Sequence, residues 1–164
     1  MQAEELDTKI VDSLNFFLET PDGLSGFSLA ALNLARGLDH GLQSYVDTRA
    51  ALLGDIDPAT LDPDDFSIIT DDPALQAELG SVYDSVHDVD LWVGGLAEDA
   101  LPGGQMGPLF THIIAEQFDR TRAADDSFGQ LDPAIGDTLL AEVRASRFAD
   151  IIGSNTDIDM VQAD

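Results

Sequence analysis

Apolar residues recur at three- and four-residue spacing along most of this chain, the period of a helix with one buried side. In EELDTKIVDSLNFFL, Leu6, Ile10, Leu14 and Phe17 stand at i, i+4, i+8 and i+11 behind leading acids, which predicts a first helix. ETPDGLSG reads as a loop. Ser28 is a candidate N-cap for a helix through LAALNLARGLDHGL, punctuated by Gly37 and Gly41. Ser44 and Gly54 bracket a short helix. After the acidic, Pro-containing connection DIDPATLDPDDFSIITDD, Asp72 and Pro73 open a helix toward Tyr83.

HDVDLWVGGLAEDALPGGQMG, with glycine pairs at 94–95 and 103–104, reads as the least regular part. Pro108 starts a strong helix whose spacing assigns Leu109, Ile113, Ile114 and Phe118 to a buried face and Glu116, Asp119 and Arg120 to solvent. AADDSFGQLDPAIG reads as a turn, followed by two closing helices near residues 137–145 and 146–152, with Gly153 as a stop. Strand-type alternation is scarce, so the expected fold class is mainly α.

One helix breaks its own pattern. Leu29, Leu32, Asn33 and Arg36 lie at i, i+3, i+4 and i+7, so an amide and a guanidinium share the leucine stripe. A buried amide needs a partner, so the stripe is either an ordinary polar spot in a core or a site.

Composition narrows the choices. The 164 residues suit one domain with a real core. Seven Lys and Arg stand against 32 Asp and Glu, a net charge of −25, and Lys9 is the only lysine. Such a chain repels nucleic-acid phosphates and anionic lipid, so neither nucleic acid nor membrane is expected as a partner. A surface this acidic suits a saline or calcium-rich setting, or simply a soluble acidic protein. There is no Cys, which excludes disulfides, thiolate nucleophiles and Cys-based zinc sites. No apolar run has the length of a membrane span, and the acidic start is not a signal peptide.

Motifs for chemistry are sparse. His40, His87 and His112 are far apart and lack metal-binding spacing, so no metal site is expected. Asp55, Asp57, Asp62, Asp64 and Asp65 fail the EF-hand pattern, because Thr60 stands where Gly belongs and Phe66 where Glu belongs. They read as a solvated loop. Nucleophile-elbow, phosphate-loop and dinucleotide fingerprints are absent.

The unusual helix, continued through LAALNLARGLDHGLQSYVDTR, resembles the signature of the animal-type haem peroxidases, roughly L-x-x-x-N-I-Q-R-G-R-D-H-G-L-P-x-Y-x-x-x-R. Leu29, Asn33, Arg36, Gly37, Asp39, His40, Gly41, Leu42, Tyr45 and Arg49 match it. VDLWVGGLAE resembles the family's D-[IL]-[WF]-x-G-G-x-x-E segment. GPLFTHIIAEQFDRTR resembles its G-P-x-x-x-x-I-I-x-x-Q-F-x-x-L-R helix, and DIIGSNTDIDMVQ its closing I-I-x-x-N-T-x-I segment. ELDTKIVDSLNFFL looks like the helix before the signature, so four segments in order, and this one ahead of them, cover nearly the whole chain.

The resemblance implies haem as cofactor and H₂O₂-dependent oxidation, with a link to oxidative stress, as the family activity. It implies that the signature helix lies on the proximal side of the haem. Asn33 then accepts a hydrogen bond from the second ring nitrogen of a proximal histidine, and Arg36 pairs with a haem propionate. Leu29 and Leu32 pack near the proximal haem face. It also implies a secreted protein.

Departures from the family pattern define the rest. The distal His and Arg, the distal calcium loop, the haem-ester carboxylates and the proximal His all lie upstream of the signature in the family. Residues 1–164 are therefore expected to form a partial peroxidase-like domain without catalytic residues and without the calcium site. Ala35, Leu38 and Gln43 replace the usual Gln, Arg and Pro, and RAADDSFGQ stands for R-D-G-D-R-F-[WF]-[WYF]. Three readings stay open. The chain is the proximal-side, C-terminal portion of a peroxidase, inactive alone and completed by the missing N-terminal part; or a standalone non-catalytic helical binding or structural module; or a degenerate product. An uncovered helix face would favour association with that N-terminal part or self-association.

Overall fold

The computed structural model describes residues 6–11, 14, 28–125 and 134–158. Among these, seven α-helices and three short 3-10 turns account for the regular structure, with no strand beyond one isolated bridge. The fold is mainly α. The helices are α1 (Leu29–Asp39), α2 (Tyr45–Leu53), α3 (Pro73–Val82), α4 (Leu91–Ala97), α5 (Pro108–Ala124), α6 (Asp137–Ala145) and α7 (Phe148–Asn155). No helix among the described residues is long and apolar enough to cross a membrane.

Side-chain caps set most of the helix starts. Ser28 accepts from the Ala31 amide, Ser44 from Asp47, Asp72 from Ala74 and Asp90 from Trp92. Pro73 occupies the first turn of α3, where its missing N–H costs nothing. Gly54 ends α2 at φ +64°, a left-handed position that a side chain would strain.

The chain divides into two compact units, one of residues 5–113 and one of residues 1–4 with 114–164. The first holds the core: Tyr45 and Val46 from α2, Phe66 and Ile69 from the acidic connection, Leu79 from α3, Val86 and Val89 from the turn before α4, Ala97 from α4 and Leu109 from α5. Each large apolar side chain fully buried there contributes about 1.5–3 kcal/mol. In the other unit, the Asp150 carboxylate near the start of α7 accepts from the Arg147 amide just ahead of the helix, Oδ2 at 3.1 Å. Leu139 and Val143 of α6 and Phe148 and Ile151 of α7 are exposed.

Several elements differ from the sequence expectation. Residues 6–11 are irregular: the Asp7 carboxylate accepts from the Lys9 amide, and the Leu6 amide donates to the Gln105 carbonyl. A local side-chain turn there competes with helix formation. Phe17, the loop at 19–26 and most of the turn at 126–133 lie outside the described residues. The glycine-rich part contains α4, a regular helix running through Gly94 and Gly95. On α5, Leu109 is buried and Ile113 half-buried, but Ile114 and Phe118 are exposed, because the core ends at Ile113. The last helix begins at Phe148 and passes through Gly153 to Asn155. A helical glycine costs about 1 kcal/mol against alanine and need not stop the helix.

Candidate functional site

Leu29, Leu32, Asn33 and Arg36 all stand on α1. The helix turns Gly37 inward, where a Cβ would come within 3.5 Å of Asp90 Oδ2, so α1 lies close to the start of α4. Leu29, Leu32 and Asn33 are half-buried and Arg36 is exposed. Among the described residues neither the Asn33 amide nor the Arg36 guanidinium has a hydrogen-bond or ion-pair partner. The Arg36 carbonyl, by contrast, is held twice: the His40 amide donates to it at 3.0 Å and the His40 ring Nδ1 at 2.9 Å. These two hydrogen bonds close the C-terminal turn of α1.

Behind α1 sits a polar node that the stripe did not reveal. Tyr45 is fully buried; its hydroxyl donates to Glu98 Oε1 at 2.8 Å and accepts from Arg49 Nη1 at 2.6 Å. Arg49 grips Asp55 through Nε and Nη2, the shortest contact being 2.7 Å, and donates to the Ile68 carbonyl at 2.9 Å. The second oxygen of Glu98 caps α5, accepting from the Leu109 amide at 2.8 Å. One carboxylate thus ties α2, α4 and α5 together. Every buried side-chain polar atom among the described residues is satisfied.

The electrostatics follow from this packing. Burial pushes the Tyr45 hydroxyl up, with Arg49 opposing. Burial also raises the Glu98 carboxyl, against the lowering effects of the Leu109 amide, Tyr45 and Arg49. Hydrogen bonds from Arg49 hold Asp55 below the usual carboxylate range, and Asp55 in turn raises Arg49.

The glycines of the node are steric requirements. A Cβ on Gly94 would lie 2.4 Å from the Tyr45 ring, on Gly95 2.1 Å from Phe110, and on Gly107 2.1 Å from the Glu98 Cβ. The pair in VGGLA lets two aromatic rings lie against the α4 backbone. Backbone pairing completes the link: the Tyr45 amide donates to the Val89 carbonyl at 2.9 Å, and Ser44 bridges Asp90.

The histidines do not converge. His40 and His112 are exposed, His87 is half-buried, and no group of three possible metal ligands occurs among the described residues. The acidic connection is more ordered than a solvated loop. Asp57 and Asp65 cap 3-10 turns, Asp62 accepts from the Asp64 amide, and Asp55 holds Arg49. Tyr45, Arg49 and Glu98 were missed as a set because 53 residues separate Tyr45 from Glu98. The available signal was that all three fall inside the segments resembling the peroxidase pattern.

The family model for animal haem peroxidases matches residues 1–164. Peroxinectin A of Dictyostelium discoideum is 41% identical over 124 residues, covering 76% of this chain and 22% of that protein. Chorion peroxidase of Drosophila melanogaster is 35% identical over 165 residues, covering 98% of this chain and 19% of that protein. The solved structure of peroxidase A from Dictyostelium discoideum superposes with a TM-score of 0.72 at 36% identity, covering 97% of this chain and 30% of that one. The chain therefore spans about a fifth of the length of these two sequence relatives. On this match of sequence and fold, the chain belongs to the animal haem peroxidase family, whose cofactor is haem.

Proposed function

We propose that this chain supplies the proximal-side wall of a haem peroxidase site. Asn33 orients the ring of a proximal histidine, Arg36 pairs with a haem propionate, and Leu29 and Leu32 line the haem face. The observation that carries this is the free pair on α1. In a chain of net charge −25 an arginine finds an acid easily, yet Arg36 has no ion-pair partner among the described residues, and one turn away the Asn33 amide is also unpartnered. An amide, a cation and two leucines on one half-open face fit a flat apolar ligand with anionic edges. When bound, haem supplies the peroxide-dependent oxidation. This chain's residues hold its propionate and fix the histidine's free nitrogen.

The axial histidine and the distal acid–base groups come, on this reading, from the region that precedes the signature in the family. Alone, residues 1–164 are inactive. The resemblance carries a secreted setting with it. The chain's acidity argues against self-association through α1, since two copies of charge −25 repel each other.

The test is complementation: this chain is co-expressed with a polypeptide carrying the upstream region of a family peroxidase, and haem is titrated into the complex. Arg36→Ala is expected to weaken haem binding about tenfold, the loss of one charge-assisted contact. Asn33→Ala is expected to keep the haem but shift the iron–histidine vibration, because the imidazole loses its acceptor. Haem affinity and vibration unchanged in both variants would refute the assignment. A complex that never forms would favour a standalone helical module.

A further inference from the structure

The polar node behind α1 has no part in holding haem on the reading above, and its chemistry points elsewhere. Tyr45 is fully buried and Glu98 is 5% exposed. They share a 2.8 Å hydrogen bond in which the phenol donates. We propose that Tyr45 is a redox-active residue: it gives one electron to a small oxidising inorganic radical, which is reduced to its anion, while its hydroxyl proton passes to Glu98 Oε1.

In that step the Tyr45 O–H bond breaks and an O–H bond forms on Glu98. The tyrosine becomes a neutral phenoxyl radical and the oxidant gains one electron. One electron from a small-molecule reductant such as ascorbate, with the proton returned from Glu98, restores the starting state. A 2.8 Å heavy-atom distance is within direct proton-transfer reach.

Three features favour the coupled step over a purely structural bond. Losing an electron while keeping the proton would create a cation 2.6 Å from the Arg49 guanidinium, so the proton must leave with the electron. The acceptor is ready, because burial already disposes the Glu98 carboxyl to take up a proton. The charge balance also improves. Glu98, Asp55 and Arg49 together carry one net negative charge around a neutral phenol. Removing one electron leaves the four groups neutral, the arrangement a poorly solvated site prefers. None of this depends on haem binding to α1.

Tyr45 and Tyr83 are the two tyrosines of the chain, so Tyr83→Phe leaves Tyr45 alone. The full 164-residue Tyr83→Phe chain, labelled with ring-deuterated tyrosine, is exposed to azidyl radicals from pulse radiolysis and trapped for electron paramagnetic resonance. A tyrosyl signal narrowed by the deuterium label is expected. Adding Glu98→Gln, which keeps an acceptor oxygen but is a far weaker base, is expected to slow its formation about a hundredfold. No tyrosyl signal in the folded Tyr83→Phe chain would overturn the proposal, as would an unchanged rate in the Gln variant. If the Gln variant loses its helical circular dichroism, the Tyr83→Phe chain refolded in D₂O decides. Slower radical formation there supports the proposal, and an equal rate overturns it.

Discussion

Tyr45 and Glu98, 53 residues apart, meet hydroxyl to carboxylate at 2.8 Å, and the same carboxylate caps α5 through the Leu109 amide. It is one of the long-range polar contacts of the residue 5–113 unit, beside the Thr70 hydroxyl donating to Asp99 at 2.8 Å. Tyr45→Phe keeps the ring but strips Glu98 and Arg49 of a buried partner. A loss of about 1–3 kcal/mol is expected in urea unfolding followed by circular dichroism, the usual cost of an unpaired buried polar group.

The α4 glycines give a steric prediction. Gly94→Ala and Gly95→Ala each place a methyl inside an aromatic ring's volume and should destabilise by about 1–3 kcal/mol or more. Gly153→Ala on α7 meets nothing within 4 Å and should be neutral or stabilising by up to about 1 kcal/mol. Thermal melts of the three variants check the contrast.

These glycines also show where sequence reading stops. Caps are local: Ser28, Ser44, Asp72 and the Pro108 start were legible because each acts within one turn of its own helix. Gly94 and Gly95 read as breakers because their partners, Tyr45 and Phe110, belong to other elements. Ile114 and Phe118 carry the apolar spacing of a buried face yet lie beyond the end of the core, which periodicity cannot mark. The α1 stripe was legible from spacing, and the role proposed for it came from the resemblance. The node needed the fold to bring Tyr45, Arg49 and Glu98 together.

The two node carboxylates respond oppositely to pH. Glu98 titrates above its ordinary 4.5 in the folded chain. Its contribution to stability is full below that value and is lost as pH rises through the folded value. Asp55 is lowered from 3.8, so its contribution holds above 3.8 and is lost as pH falls through the folded value. Glu98→Gln should therefore flatten the stability loss above pH 4.5, and Asp55→Asn the loss below pH 3.8. At neutral pH, Asp55→Asn should cost about 1 kcal/mol, discounted because the Asp55 side chain is 40% exposed. Urea titrations across this pH range read both effects.

Thirty-two acids against seven cations leave most carboxylates without a counter-charge. Monovalent salt should raise the melting temperature steadily through screening. A melting temperature independent of salt would show that this repulsion is already neutralised within the fold.

Guaiacol oxidation by H₂O₂ separates a proximal-wall role for this chain from catalysis by the chain alone. It is measured on this chain with stoichiometric haem, alone and after addition of a polypeptide carrying the upstream region of a family peroxidase. Turnover no faster than free haem is expected for the chain alone. With the added polypeptide, turnover well above free haem is expected, reduced by Asn33→Ala and by Arg36→Ala. Tight one-to-one haem binding and rapid turnover by the chain alone would contradict the proximal-wall role, because the axial ligand and the acid–base group would then lie within these 164 residues.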